Sequence, residues 1–270
     1  MTAAKKGWLD RNWPFRHLEV KLNTDTDLIK VVAMITMLID HLGAAIFPQY
    51  RTMRIIGRIA FPLYAYCIAA GCAFTHDIGK YLQRVVMLAL LVQPIYVLAL
   101  HHTNGGMFMY RFAEHPLKAA LFFYVNSWKH PSILLTLAVG IAVIWTVKER
   151  RLWLTALLLV LGYLLKQYLD YGLLGVILML LMYLFINRWY VSLPIVTAFL
   201  LYWGLRGSAY TAFGVRFGIQ MFALLALPLI YIPMRSKLKL PRWVFYSFYP
   251  AHLLVILLIE HASDLAKLLS

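Results

Sequence analysis

Charged side chains are scarce in this chain, and acidic ones most of all. Of its 270 residues only 14% are charged, with 11 Asp and Glu against 26 Lys and Arg, whereas 62% are hydrophobic and the mean hydropathy is +0.72. Soluble proteins typically carry about 25% charged residues. This shortage argues against an ordinary soluble protein and predicts a polytopic integral membrane protein.

Cysteine is nearly absent as well. Cys67 and Cys72 stand five positions apart on one predicted helix, so their side chains point roughly 140° apart at 100° per residue. That divergence argues against a mutual disulfide, and the sequence offers no metal-ligand spacing, so we expect no metal site. The chain also shows no internal repeat and no long linker, which predicts one domain.

The first 27 residues lack an apolar segment. They are polar and charged, with no apolar core followed by a small-residue cleavage site. We therefore predict a cytoplasmic N-terminal tail over 1–27 and no secretory signal. Residues 28–270 are predicted to form the transmembrane domain.

Long apolar runs fill the rest of the chain. Runs of spanning length, separated by turn and charge signals, predict an all-α bundle of membrane helices. Nine spans are expected, at 28–47, 55–74, 85–100, 117–125 with 132–147, 152–166, 171–187, 191–205, 217–232 and 243–260. The run 117–125 is short enough to be interfacial or re-entrant, which leaves the helix number open within 101–132.

The basic residues indicate an orientation. With a cytoplasmic N-terminus, 15 of the 26 Lys and Arg lie on the cytoplasmic side and ten on the other, with Lys30 inside the first helix. The positive-inside rule therefore favours a cytoplasmic N-terminus and a C-terminus on the opposite side of the membrane. The net charge of +15 does not predict nucleic-acid binding, because the basic residues are scattered over short loops. Anionic lipid headgroups account for most of it.

Two ionisable residues, Asp40 and His41, interrupt the first apolar run, LIKVVAMITMLIDHLGAAIF. Ionisable residues inside a membrane helix are costly, so a functional role is the first hypothesis. Lys30 precedes His41 by eleven residues, a spacing that returns to nearly the same helix face about 16 Å along the axis. One face of one membrane helix is thus predicted to carry Lys30 and His41.

An arginine stripe opens the second helix. Arg51, Arg54 and Arg58 follow i, i+3, i+7 spacing and share a face. Arginines near the end of a span can reach lipid headgroups, but Arg58 lies deeper and is a candidate partner for Asp40. We predict an ion pair of Asp40 with Arg58 or Arg54, because a buried carboxylate without a partner is strongly disfavoured. Pro62 is expected to release a backbone carbonyl in this helix.

Other polar residues lie in otherwise apolar segments. Gln93 and Gln220 are consistent with a polar pocket, but also with the hydrogen bonds that isolated amides make to neighbouring membrane helices. Asp170 is as consistent with an N-cap of the next helix as with catalysis. His252 is as consistent with a packed bundle histidine as with a site residue. We include Asp170, Gln220 and His252 in a candidate polar pocket.

Several blocks occur in a recognisable order: LIKVVAMITMLIDHLG, GRIAFPLYAYCIAAGCAFTHD, KYLQR, DYGLLGVI and FYSFYPAHLLVILLI. Together they resemble the TraX family, conjugative-plasmid proteins that acetylate pilin N-termini. That family in turn is distantly similar to membrane-bound acyltransferase-3 proteins, which carry an arginine and a histidine separated by ten residues on the first helix. Lys30 and His41 match those two positions, and lysine keeps the charge but not the planar fork of arginine.

The resemblance implies a transmembrane acyltransferase-like domain that moves an acetyl group from cytoplasmic acetyl-CoA to an acceptor. The acceptor is a pilin N-terminal amine or, by the acyltransferase-3 likeness, a hydroxyl of a cell-envelope glycan or lipid. In this interpretation His41 is the general base, with Asp40 and Arg58 beside it. Candidate contacts for the donor are Lys30, Arg54, Lys80 and Arg84.

Two other classes of protein remain open. A proton-coupled transporter or channel would also place Asp, His and Arg in membrane helices, and it predicts flux without acetyl-CoA. A non-catalytic assembly protein would keep these residues only for packing, and it would tolerate His41→Ala.

Overall fold

The computed structural model describes residues 23–101 and 115–269, and most of them are helical. The α-helices in chain order are α1 Thr26–Ala45, α2 Arg51–Gly57, α3 Ala60–Phe74, α4 Ile78–Leu100, α5 Pro116–Ser127, α6 Ile133–Lys148, α7 Leu152–Leu164, α8 Gly172–Leu184, α9 Trp189–Leu205, α10 Leu227–Tyr231 and α11 Arg242–Leu269. Two 3₁₀ helices, Lys166–Tyr168 and Ile219–Ala226, and one strand pair complete the described chain.

Four helical segments are long and apolar enough to cross a membrane by length and composition: Thr26–Ala45, Arg51–Phe74, Ile78–Leu100 and Trp243–Glu260. Five shorter apolar helices accompany them, and large apolar side chains such as Leu91 and Leu164 are exposed on the exterior. These features support a membrane protein with four candidate spans in the described chain. The prediction of nine spans is not confirmed, because the five shorter helices fall below spanning length.

The first helix begins two residues before the predicted span. The Asp25 side chain accepts a hydrogen bond from the backbone N–H of Leu28 at 3.2 Å and so caps α1. Thr26 and Asp27 thus belong to the helix and not to the predicted tail. Residues 1–22, the greater part of that tail, lie outside the described residues.

The second predicted helix is divided. α2 ends at Gly57 and α3 begins at Ala60, with Arg58 and Ile59 in a turn between them. Pro62 has no backbone N–H to donate to the carbonyl four residues earlier, which is that of Arg58. The break therefore lies where the proline was expected to release a carbonyl. There the backbone N–H groups of Arg58 and Ile59 bond to carbonyls three residues earlier instead of four.

α5 and α6 are separate helices, joined by residues 128–132. Gln93 of α4 supports this connection: its Nε2 donates to the carbonyls of Ser127 at 2.7 Å and His130 at 2.9 Å, and its Oε1 accepts from Ser132 N–H at 2.9 Å. Gln93 thus serves the backbone of a turn, the structural role weighed for it above. Residues 102–114, within the region where the helix number was left open, lie outside the described residues.

A small hairpin is a departure from the all-α prediction. β1 Tyr210–Ala212 pairs antiparallel with β2 Val215–Phe217, through a turn in which Phe213 and Gly214 both have positive φ. Two consecutive positive-φ residues are the geometry that closes a two-residue hairpin. The predicted span 217–232 accordingly begins in a strand and continues as the 3₁₀ helix Ile219–Ala226 and then α10.

α3 lies at the centre of the bundle, with α1, α6 and α8 packed around it. α1 runs from Lys30 at one end to His41 near the other, and α2 begins the return from that second end. We call these the Lys30 end and the Arg54 end. α11 packs against α1 and α4, which brings its side chains to the buried face of α1.

Candidate functional site

A polar cavity of about 200 Å³ lies at the Arg54 end, and we call it the polar chamber. It lies between α1, the α2–α3 break, α4 and the connection before α8. Five of the ten predicted site residues line it: Asp40, His41, Arg54, Arg58 and Asp170. Tertiary packing has thus gathered residues that are up to 130 positions apart in sequence.

Asp40 forms ion pairs with two arginines of the chamber. Arg58 Nη2 donates to its Oδ1 at 2.8 Å and to its Oδ2 at 2.9 Å, and Arg54 Nη1 donates to Oδ2 at 2.7 Å. Arg54 also donates to the backbone carbonyl of Asp40 at 3.2 Å. The predicted ion pair is present and includes both arginines, whereas Arg51 is exposed. Charge-assisted bonds of this length satisfy a carboxylate that is only 8% exposed.

Gly57 makes room for this carboxylate. A Cβ added at Gly57 would overlap the Oδ1, Cβ and Cγ atoms of Asp40. Glycine is therefore required where α2 crosses α1, because only a residue without a side chain leaves space for Asp40 between the two arginines.

His41 is held by a second histidine. Its Nδ1 lies 2.8 Å from Nε2 of His252 on α11, and Nδ1 of His252 lies 2.8 Å from the Phe248 carbonyl oxygen. Both histidines are buried, and the rings of Tyr96 and Tyr249 contact His41 edge-on with centroids 6.4 Å away. His252 is thus placed directly behind His41, where the spacing in the sequence did not predict a contact.

Asp170 enters the chamber from the connection between α7 and α8. Removal of water by the surrounding protein raises the pKa of Asp170 to about 6, and Asp40 adds to the rise, while Arg58 and Arg54 oppose it. The residue nevertheless keeps exposed surface. The N-cap of α8 is Tyr171 and no side chain caps that helix, so the capping interpretation of Asp170 is wrong.

Two further cavities follow the chamber in a row toward the Lys30 end, and only the nearer one shares lining residues with it. The first, about 60 Å³ and mainly apolar, shares four lining residues with the chamber, and we call it the neck. The second, about 400 Å³, we call the vestibule, since it lies at the Lys30 end and contains Lys30 and Arg84. Neck and chamber share Met37, Tyr64, Ile133 and Tyr249, and neck and vestibule share Lys30, Cys67, Tyr81, Phe245 and Tyr246.

The four residues predicted to bind a donor are divided by the structure. Lys30 lines both neck and vestibule, with its Nζ 3.0 Å from Asp27 Oδ1, and Arg84 lines the vestibule. Arg54 lies at the opposite end, bound to Asp40. Lys80 forms a surface pair with Asp77 at 3.2 Å and lines none of these three cavities.

Two features of the site differ from the expected polar pocket. Gln220, in the second 3₁₀ helix, is half-buried and is not among the lining residues of the chamber, neck or vestibule. Conversely, Tyr96, Tyr249 and His101 line the chamber although the sequence did not single them out. The signal for Tyr249 was its position three residues before His252, on the same helix face. Within 23–101 and 115–269, no three His, Cys, Asp or Glu side chains are grouped so as to hold a metal ion.

The chain is similar to a known protein family over most of its length and to two other proteins over shorter segments. The model of the TraX protein family matches residues 25–260. Over 67 residues the chain is 42% identical to an uncharacterized protein of Rickettsia prowazekii, and over 73 residues it is 32% identical to a probable fimbrial assembly protein, FimC of serogroup H1, from Dichelobacter nodosus. Each match covers 25% of this chain, and they cover 25% and 30% of those two relatives.

No solved structure matches the chain. The family match, in contrast, includes α1 with Asp40 and His41, the α2–α3 break with Arg58, and α11 as far as Glu260. Because it extends over most of the sequence, the chain belongs to the TraX family.

Proposed function

We propose that the protein is a membrane-embedded acetyltransferase that moves an acetyl group from acetyl-CoA to an amine, with His41 as general base. The observation that carries this proposal is the row of neighbouring cavities, in which an apolar neck shares lining residues with a basic vestibule on one side and with a chamber holding His41 and Arg58 on the other. Membership in the TraX family supports it, since that family is linked to pilin processing in conjugation.

The residues that line the three cavities suit the successive parts of the donor, acetyl-CoA. Lys30 and Arg84 offer positive charge for the phosphates of acetyl-CoA at the vestibule, and the neck offers an apolar passage for the slender pantetheine arm. His41 follows Lys30 by eleven positions, a rise of about 16 Å along α1, which is of the order of an extended pantetheine arm. The thioester would then reach the chamber while the phosphates stay at the Lys30 end.

In the chamber the acceptor nitrogen would attack the thioester carbonyl. His41 takes the proton that the nitrogen loses as the new C–N bond forms. The carbonyl oxygen becomes an oxyanion, and the N–H groups of Arg58 or Arg54 not bound to Asp40 stabilise its charge. The tetrahedral intermediate then breaks its C–S bond, and the proton on His41 passes to the CoA thiolate, which restores the neutral base.

The two substrates would approach from opposite ends. With the N-terminus in the cytoplasm, as the basic residues favour, the vestibule faces the cytoplasmic pool of acetyl-CoA and the chamber opens toward the outer face of the inner membrane. A pilin N-terminus is the acceptor that we propose, in keeping with the family and with the fimbrial assembly relative. A hydroxyl of a cell-envelope glycan is the alternative acceptor.

The same row of cavities supports one competing function. It runs from one end of the bundle toward the other and contains buried ionisable groups, as a proton-coupled transporter would require. Transport predicts proton flux that does not depend on acetyl-CoA, so a flux assay on reconstituted protein separates the two functions.

The direct test is acetyl transfer by the purified protein in nanodiscs. The acceptors are a pilin-derived peptide with a free α-amine and the same peptide with a blocked N-terminus, and the readouts are peptide mass and release of CoA thiol. We expect one added acetyl group on the free peptide, abolished by His41→Ala. His76→Ala is the matched control, since His76 is exposed and lies outside the three cavities. Absence of transfer to the free-amine peptide would refute the proposal.

A further inference from the structure

We propose that His252 is a positioning residue that selects the tautomer of His41, leaving Nε2 of His41 unprotonated and free to accept a proton. The catalytic consequence rests on the acetyltransferase function proposed above, but the tautomer itself does not. The assignment comes from two hydrogen bonds in series, which connect the backbone of α11 to the His41 ring of α1.

The Phe248 carbonyl determines which nitrogen donates in each of these two hydrogen bonds. A carbonyl oxygen only accepts hydrogen bonds, so His252 Nδ1, 2.8 Å from the Phe248 carbonyl, must carry the hydrogen. A neutral imidazole has one N–H, which makes Nε2 of His252 an acceptor. His41 Nδ1, 2.8 Å from that Nε2, must therefore donate. His41 then has no hydrogen left for its own Nε2.

The opposite arrangement would need a charged ring. If His252 were an imidazolium, its Nε2 would donate to His41 Nδ1, and the hydrogen of His41 would move to Nε2. Both rings are buried, and no ion pair connects either of them to a carboxylate in the described chain. Asp40, the carboxylate next to His41 in sequence, is bound to Arg54 and Arg58. An uncompensated buried cation is costly, so the neutral pair is favoured.

α11 is built to hold His252 in this position. Phe248 and His252 are four residues apart, so the ring nitrogen reaches the carbonyl of its own helix one turn earlier. Phe248 stacks on the His252 ring with centroids 5.0 Å apart, and Tyr249 contacts it edge-on at 5.3 Å. These contacts restrict rotation of the ring, which keeps its Nε2 directed at His41.

The hydrogen bond to His252 would also stabilise the positive charge that His41 acquires during catalysis. When His41 Nε2 accepts a proton, the Nδ1–H bond to His252 Nε2 stays in place and the imidazolium remains hydrogen-bonded. The Phe248 carbonyl, which accepts from His252, orients that ring as an acceptor for the cation. His252 therefore does for His41 what a carboxylate does for the histidine of a hydrolase triad, without adding a negative charge beside Asp40.

The test begins with ¹⁵N NMR of the ring nitrogens of ¹⁵N-histidine-labelled protein in nanodiscs, with no substrate present. Signals of His41 and His252 are assigned from their loss in His41→Ala and His252→Ala, and His76→Gln controls for substitution of an exposed histidine. We expect His41 to be protonated at Nδ1 and unprotonated at Nε2 in the wild type, and to lose that preference in His252→Ala. His41 protonated at Nε2 in the wild type would overturn the proposal.

Activity provides the second arm. His252→Gln keeps an oxygen acceptor near the Nε2 position, whereas His252→Leu removes it. We expect His252→Leu to lower kcat by about 10²–10⁴-fold, the usual contribution of general acid–base catalysis, and His252→Gln to recover at least about tenfold of that loss. Equal loss in both folded variants would contradict a tautomer-selecting role. A wild-type protein that has the expected tautomer but transfers no acetyl group would refute the proposed function and leave this inference standing.

Discussion

Gly57→Ala is the substitution that most directly tests how the chamber is assembled. The added Cβ would overlap the Oδ1, Cγ and Cβ atoms of Asp40. Rotation of the carboxylate relieves the first two overlaps, but the third moves only with the backbone of α1. We therefore expect α1 and α2 to separate and the Asp40 ion pairs with Arg54 and Arg58 to break.

The expected loss in the free energy of unfolding follows from two opposing effects. Breaking a buried ion pair costs about 3–5 kcal/mol, and the lower half of that range applies because the Arg54 side chain is 36% exposed. Alanine is favoured over glycine in a helix by about 1 kcal/mol. The free energy of unfolding should fall by about 2–3 kcal/mol, which corresponds to about 4–12 °C in the unfolding midpoint on the scale of proteins of this size.

Thermal unfolding of the purified protein in detergent measures this effect. Gly79→Ala is the matched control, because the Cβ it adds to α4 would meet its nearest neighbour, Asp77 Oδ1, at an ordinary 3.4 Å. We expect Gly79→Ala to keep the wild-type midpoint or raise it slightly. A Gly57→Ala midpoint within 2 °C of the Gly79→Ala midpoint would show that the Asp40 pair does not depend on the glycine.

Three further predictions concern single residues. Lys30→Ala and Arg84→Ala should each raise the KM for acetyl-CoA about tenfold with little change in kcat, whereas Lys80→Ala, outside the three cavities, should change neither; an equal effect of Lys80→Ala would contradict a donor site in the vestibule. Arg58→Ala should lower the unfolding midpoint and abolish transfer, and Arg51→Ala, at an exposed position of the same stripe, should do neither. Asp170→Asn should raise the unfolding midpoint at pH 7.5, because the raised pKa of Asp170 means that its ionised carboxylate opposes folding. The variant should lose this advantage as the pH falls from about 6 toward 4, where the wild-type carboxyl becomes protonated. A difference in midpoint that does not vary with pH would refute the raised pKa of Asp170.

The Asp40 ion pair is the part of the site that could be predicted best. A carboxylate within an apolar run must find a partner, and the arginine stripe of the next helix was the nearest source of positive charge. The same reasoning could not choose between Arg54 and Arg58, because it had no position for the α2–α3 break. The structure shows that both take part, because the guanidinium groups of Arg54 and Arg58 bond to the same carboxylate.

The partners of His41 and the place of Asp170 could not be predicted in the same way. His252 follows His41 by 211 residues, and only the packing of α11 against α1 makes them neighbours. Asp170 had two equally good local interpretations, and the backbone of α8 excluded one of them by leaving its N-terminus without a side-chain cap. The hairpin at 210–217 was not predicted, because its strands are only three residues each and lie almost entirely between the apolar runs 191–205 and 217–232.

Composition and apolar runs by themselves determined that this is a helical membrane protein, and that Asp40 needs a positively charged partner within the bundle. These properties follow from the free-energy cost of placing a charge in an apolar medium, which a membrane helix lowers by pairing the charge with a nearby group. Tertiary structure alone decided that His252 backs His41, that Gly57 admits Asp40, and that three cavities adjoin from Lys30 to Arg58. Such contacts depend on how helices far apart in sequence cross, and crossing is set by the fit of whole surfaces instead of by any one segment.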